Sequence, residues 1–235
     1  EPHASAIIDK VNAVESDNYA PVPAAEQGKV IPMGEEVDEA YMARLEKLPL
    51  NPELIRKENS LKVVYTPLHG VGGVIIKPML QRLGFQFLTV ESQEVPDGRF
   101  PTVKSPNPEN AEALSLAVKL AEETGSDLVI ATDPDDDRMG IAVRNDEGKM
   151  VLLTGNQIGS LMAWYRASQH FALGILTKEN ASRGVIIKTF VTTDLQKAIA
   201  EKFGLRTVET LTGFKWIARA IADAPERRFV FGYEQ

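Results

Sequence analysis

Residues 131–140 read ATDPDDDRMG and continue the apolar run DLVIA, so four aspartates and one arginine occupy the six positions 133–138. Carboxylates a few Å apart resist ionising together, which makes such a cluster costly unless a cation sits in it. The placement also bears on the fold. DLVIATD has the length and composition of a buried strand, and open α/β sheets gather their ligand groups at the carboxyl ends of strands.

The surrounding sequence alternates in the same grammar. LKVVYTPL (61–68) reads as a strand, GGVIIKPMLQRLG (72–84) as a helix interrupted by Pro78, and FQFLTVES (85–92) as a strand. NAEALSLAVKLAEETG (110–125) is a helix with Ala113, Ala117, Leu120 and Ala121 on one face, for which Asn107 is the expected cap and Pro108 the first-turn residue. RMGIAVRN, a turn through Asp146, Glu147 and Gly148, and KMVLLTG form a hairpin. A second round then begins: helix NQIGSLMAWYRASQH, strand GVIIKTF, a helix opened by a Thr193 to Gln196 capping box, strand LRTVETL, helix TGFKWIARAIADA and strand RFVFGYE. The two rounds meet near residues 150–156. Ahead of them, residues 1–16 and 34–48 have helical spacing, separated by a polar, proline-containing connection from about Asp17 to Met33. The fold class is therefore α/β, with two successive mixed α/β domains. The expected divisions are residues 1–44, 45–152 and 153–235.

Composition narrows the function. With 43% hydrophobic and 25% charged residues, the 235-residue chain is ordinary for a globular protein. A net charge of -7 speaks against nucleic-acid or membrane-surface partners, both of which favour a basic face. Zero cysteines leave no disulfide framework and no thiolate metal site. The first residues lack a basic region followed by an apolar core, so a mature, soluble, cytoplasmic chain is the expectation.

Asp133, Asp135 and Asp137 are spaced by two, so in an extended loop their side chains converge while Asp136 is directed elsewhere. Ligation by oxygen alone favours a hard cation such as Mg²⁺, which keeps water or substrate phosphate in its remaining positions. The plain alternative is a solvated acidic turn. An EF-hand is excluded, because Arg138 stands where that loop needs glycine and Arg144 where it needs glutamate. An Asp-x-Asp metal site of the glycosyltransferase kind stays open.

DPDDDR resembles the Asp-x-Asp-x-Asp-Arg metal loop of the α-D-phosphohexomutases, the phosphoglucomutases and phosphomannomutases. Further stretches agree in order and spacing. YTPLHGVGG (65–73) and FPTVKSPNPE (100–109) resemble segments of that family's second domain. LLTGNQIGSLMAWY (152–165) resembles the entry to its third domain, and TLTGFKWI (210–217) and FGYEQ (231–235) its two substrate-facing loops. The family's catalytic serine loop, of Thr-Ala-Ser-His-Asn-Pro type, has no counterpart here, since no Ser-His-Asn occurs. The resemblance thus implies an excised middle portion: the tail of a first domain, the second domain, and a third that reads as truncated.

Several roles are implied by the resemblance. The parent reaction is reversible phosphate transfer between hexose 1-phosphate and hexose 6-phosphate, with glucose the leading sugar, through a phosphoserine and a bisphosphorylated sugar. Mg²⁺ is held by Asp133, Asp135 and Asp137, and Arg138 offers a charge-assisted bond to the transferring phosphate or balances the aspartates. Glu234 resembles the glutamate that accepts sugar hydroxyls, and Thr212, Gly213 and Lys215 the other sugar-side loop. The partners implied are a sugar phosphate and the remaining domains of the parent, and the portion alone is expected to be inactive. A metal-dependent glycosyltransferase and a non-catalytic metal and sugar-phosphate module are the competing readings. His69 is expected to be structural, His3 and His170 peripheral, and Trp164 and Trp216 part of the core.

Overall fold

The computed structural model describes residues 2–15, 22–58 and 60–234. It divides into two compact units, Glu1–Glu39 and Ala40–Gln235. The first contains α1 (Pro2–Asn12), whose Ile7, Ile8 and Val11 are exposed, and the start of α2 (Glu35–Leu45). The last residue of the first helical stretch, 16, and part of the expected connection, 17–21, lie outside the described residues.

The second unit holds two sheets. After α3 (Pro52–Lys57) come β1 (Lys62–Thr66), α4 (Ile76–Arg82), β2 (Gln86–Thr89), α5 (Glu91–Glu94), α6 (Ala111–Thr124), β3 (Leu128–Thr132), β4 (Met139–Arg144) and β5 (Met150–Leu153). Their strands form one sheet in the order β2-β1-β3-β4-β5, with β1 parallel to both β2 and β3 and the β3, β4, β5 pairs antiparallel. α7 (Gly155–Ala172), β6 (Gly184–Thr189), α8 (Leu195–Lys202), β7 (Arg206–Thr210), α9 (Phe214–Ala222) and β8 (Arg228–Tyr233) follow. Their three strands form an all-parallel sheet in the order β7-β6-β8. The mixed α/β fold read from the sequence is the fold observed.

Each sheet is covered as its side-chain pattern demands. Small residues on α6, Ala113, Ala117 and Ala121, bring that helix close to Val64, Val129 and Ala131 of the first sheet. In the second sheet, successive β6 residues point to opposite faces. Ile186 joins Ala163 and Ala167 of α7 and Ile199 and Ala200 of α8, while Val185 and Ile187 meet Ile217 of α9. A parallel strand covered on both faces reads as a near-continuous apolar run, and every residue of β6 is buried, Lys188 and Thr189 included.

Local details depart from expectation in four places. Pro78 does not interrupt α4; it lies in its first turn, where the missing N–H has no helical partner to lose. The cap of α6 is Asn110 rather than Asn107, whose Oδ1 instead accepts from the Glu109 backbone N–H at 2.9 Å. No capping box forms at Thr193, whose Oγ1 accepts from Leu195 N–H; the box forms at Thr154 and Gln157, ahead of α7. Trp164 and Trp216 are 43% and 40% exposed rather than core, each lying beneath a lysine, Lys202 and Lys215.

His170 is not peripheral. It is buried on α7, with Nδ1 donating to the Arg166 carbonyl at 2.7 Å. Burial pulls its imidazole below the ordinary histidine value, the Arg166 carbonyl opposes this, and the charges of Arg166 and Arg228 add to the fall. The folded chain therefore keeps His170 neutral where the unfolded chain, with a value of about 6.5, takes up a proton. Stability contributed by the neutral ring is complete above that value and is lost as pH falls towards the depressed folded one. Urea midpoints at pH 7.5 and pH 5.5 check this: His170→Gln should lose less stability over that interval than the parent chain, and an equal loss would refute the assignment.

Candidate functional site

The aspartate cluster is the loop joining β3 to β4, closed at its base by the pairing of Thr132 with Met139. Asp133 is its anchor. The residue is 0% exposed; its Oδ1 accepts the backbone N–H groups of Asp137 (3.1 Å) and Arg138 (3.0 Å), and its Oδ2 accepts Arg138 Nε–H at 2.9 Å. Two more bonds close the loop, Asp133 N–H to Arg138 O and Asp136 N–H to Asp133 O. Asp136 takes the left-handed conformation, φ 64°, that this tight turn needs and that aspartate tolerates better than most residues.

The result brings one carboxylate oxygen each of Asp133, Asp135 and Asp137 within 4.8 Å of one another, with Asp135 and Asp137 exposed. The electrostatics reflect the crowding. Burial pushes the Asp133 carboxyl up, but the backbone N–H and guanidinium of Arg138 outweigh it and leave the group below the ordinary carboxylate value. Asp137 is pushed up, by desolvation and then by the like charges of Asp133 and Asp135. Arg138 answers part of this charge, its Nε lying 2.9 Å from Asp133 and 3.5 Å from Asp137. A set of convergent carboxylate oxygens with room left for further ligands fits a hard divalent cation.

The loop is braced from behind by the turn after β1. Val71 N–H donates to Pro134 O at 3.0 Å. Gly70 packs so tightly on Pro134 that a Cβ there would lie 2.3 Å from the Pro134 Cα. This turn is itself strained, with Leu68 and His69 at φ 47° and 62°, conformations that cost on the order of 1–3 kcal/mol each and need support. Support comes from Leu68 N–H to Thr66 Oγ1, His69 N–H to Gln93 O, Asp97 N–H to His69 O, and His69 Nε2 with Thr102 Oγ1 at 2.8 Å. His69 is thus the buried structural histidine expected. At the loop's exit Gly140 lies against Pro108, leaving no space for a Cβ.

A second group assembles at the carboxyl edge of the three-stranded sheet. Glu234, just past β8, accepts the backbone N–H of Gly213 through Oε2 at 2.5 Å. Gly213 caps α9 with φ 114°, where only glycine is at ease. Thr212 and Lys215 flank it, both exposed, with the Lys215 ammonium 5.4 Å from the Trp216 ring. Thr212, Gly213, Lys215 and Glu234 therefore share one edge. Among the described residues no hydrogen bond or ion pair joins them to the aspartate loop.

Sequence reasoning passed over Lys188. Its side chain is 1% exposed near the end of β6, donating to Glu209 Oε2 (2.9 Å) and Thr192 O (2.9 Å), with Asp194 at 3.2 Å. Burial pulls the ammonium down, but the bonds to Glu209 and Asp194 outweigh it and hold the value above that of ordinary lysine. The available signal was a lone cation inside the otherwise apolar run GVIIKTF, since a lysine is almost never buried without partners.

Comparison with known proteins gives this geometry a family. Residues 39–148 match the family model described as phosphoglucomutase/phosphomannomutase, alpha/beta/alpha domain II, and residues 154–235 match domain III of the same family. A phosphoglucomutase of Staphylococcus epidermidis is 36% identical over 98% of this chain and 40% of that protein. A phosphoribomutase of Saccharomyces cerevisiae is 34% identical over 100% of the chain and 40% of that protein. Among solved structures, N-acetylphosphoglucosamine mutase of Aspergillus fumigatus, in complex with GlcNAc-6P and magnesium, superposes with a TM-score of 0.55 at 17% identity, over 84% of this chain and 39% of that one. The chain spans about two-fifths of the length of these relatives. With four of the five strands of the first sheet and all three of the second inside matched family domains, and the aspartate loop inside the first of them, this chain belongs to the phosphoglucomutase/phosphomannomutase family.

Proposed function

We propose that this chain supplies the cation-binding and sugar-recognition parts of a phosphohexomutase that interconverts hexose 1-phosphate and hexose 6-phosphate, glucose phosphate foremost, through a phosphoserine and a sugar bisphosphate. The observation that carries this reading is the convergence of Asp133, Asp135 and Asp137 oxygens within 4.8 Å at the end of β3. The cation they suit is Mg²⁺; when bound, it neutralises charge on a transferring phosphoryl group. The roles of the chain's own residues follow from their placement. Asp133, locked by Arg138, fixes where the ligand set stands, and exposed Asp135 and Asp137 would supply the other two oxygens. Arg138, already spanning two of these carboxylates, keeps part of its guanidinium free for a phosphate oxygen. Glu234 and the Thr212, Gly213 and Lys215 loop face the sugar, and the Gly213 N–H orients the Glu234 carboxylate.

The glycosyltransferase alternative, open on the Asp-x-Asp pattern alone, draws no support from the two matched domains. A cytoplasmic setting suits a chain with zero cysteines. The remaining domains of the parent are the proposed source of the serine nucleophile.

Three outcomes test the reading. In titrations with Mg²⁺, Asp133→Asn, Asp135→Asn and Asp137→Asn should each weaken binding, Asp133→Asn most because its loss also frees Arg138; unchanged affinity in all three would end the assignment. In an intact mutase carrying these domains, Glu234→Gln removes a charged hydrogen-bond acceptor worth about 1.5–3 kcal/mol. Its kcat/KM should fall roughly ten- to hundredfold while Mg²⁺ affinity stays near that of the parent; collapse of metal binding, or undiminished kcat/KM on glucose, mannose and ribose 1-phosphates alike, would exclude the sugar role. The 235-residue chain by itself should not convert glucose 1-phosphate to glucose 6-phosphate, and turnover by contaminant-free protein would contradict the division of labour proposed.

A further inference from the structure

The position between the two exposed metal-facing aspartates carries a fourth carboxylate, and its geometry is unlike theirs. Asp136 turns inward from its left-handed backbone, and its Oδ1 is buried with no hydrogen-bond partner. It rests against Gly72, at whose Cα a methyl group would stand 2.5 Å from Asp136 Oδ1, 2.4 Å from the Tyr65 hydroxyl and 2.7 Å from Thr132 Oγ1. The last two oxygens are hydrogen-bonded to each other at 3.0 Å, which uses one of their two hydroxyl protons. Burial pushes the Asp136 carboxyl up, and the Thr132 hydroxyl eases its charge only in part, without a well-formed bond to Oδ1. Arg138, the cation of this loop, is committed to Asp133 and Asp137.

For the fold alone this arrangement is a poor one. A buried carboxylate oxygen without a partner bears the full cost of desolvation. Asparagine would tolerate the same left-handed backbone and could donate its amide to the Tyr65 and Thr132 hydroxyls. The charge makes sense on the cation side. Screening by salt is weak for a partly buried group, so an inward carboxylate with no counter-charge lends its field to the three oxygens in front of it.

We propose that Asp136 is a positioning residue for the cation: without touching the ion, its uncompensated inward charge deepens the negative potential behind Asp133, Asp135 and Asp137 and strengthens their hold. The proposal rests on the reading that those three residues bind a divalent cation. It makes stability and affinity move in opposite directions at a single residue.

The test uses the 235-residue chain, with Mn²⁺ binding followed by electron paramagnetic resonance, Mg²⁺ as competitor, and thermal melting without metal. Asp136→Asn should raise the metal-free melting midpoint and weaken Mn²⁺ binding by about five- to twentyfold, the range expected for losing one charge at partly screened distance. Tyr65→Phe, which keeps the Asp136 charge while removing a hydroxyl beside it, should bind Mn²⁺ as the parent does. If the parent binds Mn²⁺ and Asp136→Asn binds it equally well, the inference falls and the metal reading stands. If melting midpoint and affinity fall together in Asp136→Asn, Asp136 is scaffold only and the inference is equally overturned. If the parent chain fails to bind Mn²⁺ at all, the metal reading fails and takes the inference with it.

Discussion

A carboxylate removed from water stays charged only where donors replace the water, and Asp133 is where this protein meets that demand. Two backbone N–H groups and the Arg138 guanidinium replace that water and fill three of its roughly four acceptor positions. Because all three donors come from the far end of the same loop, satisfying Asp133 also folds the loop. The chain must then turn sharply between Asp133 and Arg138, which requires the left-handed residue at Asp136 and sends the intervening side chains to alternate sides. Convergence of Asp135 and Asp137 on Asp133 is a consequence of that closure.

The same demand explains the close packing around the loop. A self-closed turn has little rigidity unless something solid stands behind it. The strained Leu68 and His69 turn, tied through Gln93, Thr102 and Asp97, presses Gly70 onto Pro134 and hands it the Val71 N–H. Gly140 does the same against Pro108 on the exit side. Glycines stand at these contacts because backbone meets backbone there. In the other sheet the corresponding tie is shorter: Glu234 is held by the N–H of Gly213, so two strand ends share one hydrogen bond. Both candidate sites are thus made from the ends of strands whose positions are set by apolar packing far from them.

The fold was largely legible because its signal is periodic. Alternation of strand and helix, and the continuous apolar runs of β1, β3 and β6, survive any local uncertainty. Caps did not, since they depend on competing partners. Thr193 and Gln196 have the spacing of a capping box, yet Thr193 N–H is taken by Asn156 Oδ1 across the domain and its hydroxyl by Leu195 N–H. Exposure of Trp164 and Trp216 was equally hidden, because an amphipathic helix shows that an apolar stripe exists but not how much of it is covered. In the site, period-two spacing was enough to select Asp133, Asp135 and Asp137. Nothing in that spacing shows that Asp133 is sealed while its companions are open, or that Asp136 points at Gly72, a residue more than sixty positions away along the chain. Lys188 was visible only as an anomaly of composition, and its meaning depends on Glu209 and Asp194 arriving from other elements.

If the aspartate loop works as proposed, one cation sits on three specific oxygens. Anomalous diffraction from a crystal of this chain grown with Mn²⁺ measures that position. The structure predicts one strong peak within about 2.0–2.3 Å of carboxylate oxygens from Asp133, Asp135 and Asp137, with the Asp133 to Arg138 bonds intact and Asp136 still turned inward. A peak elsewhere, or a fully occupied Mn²⁺ site that Asp133 does not ligate, would contradict it.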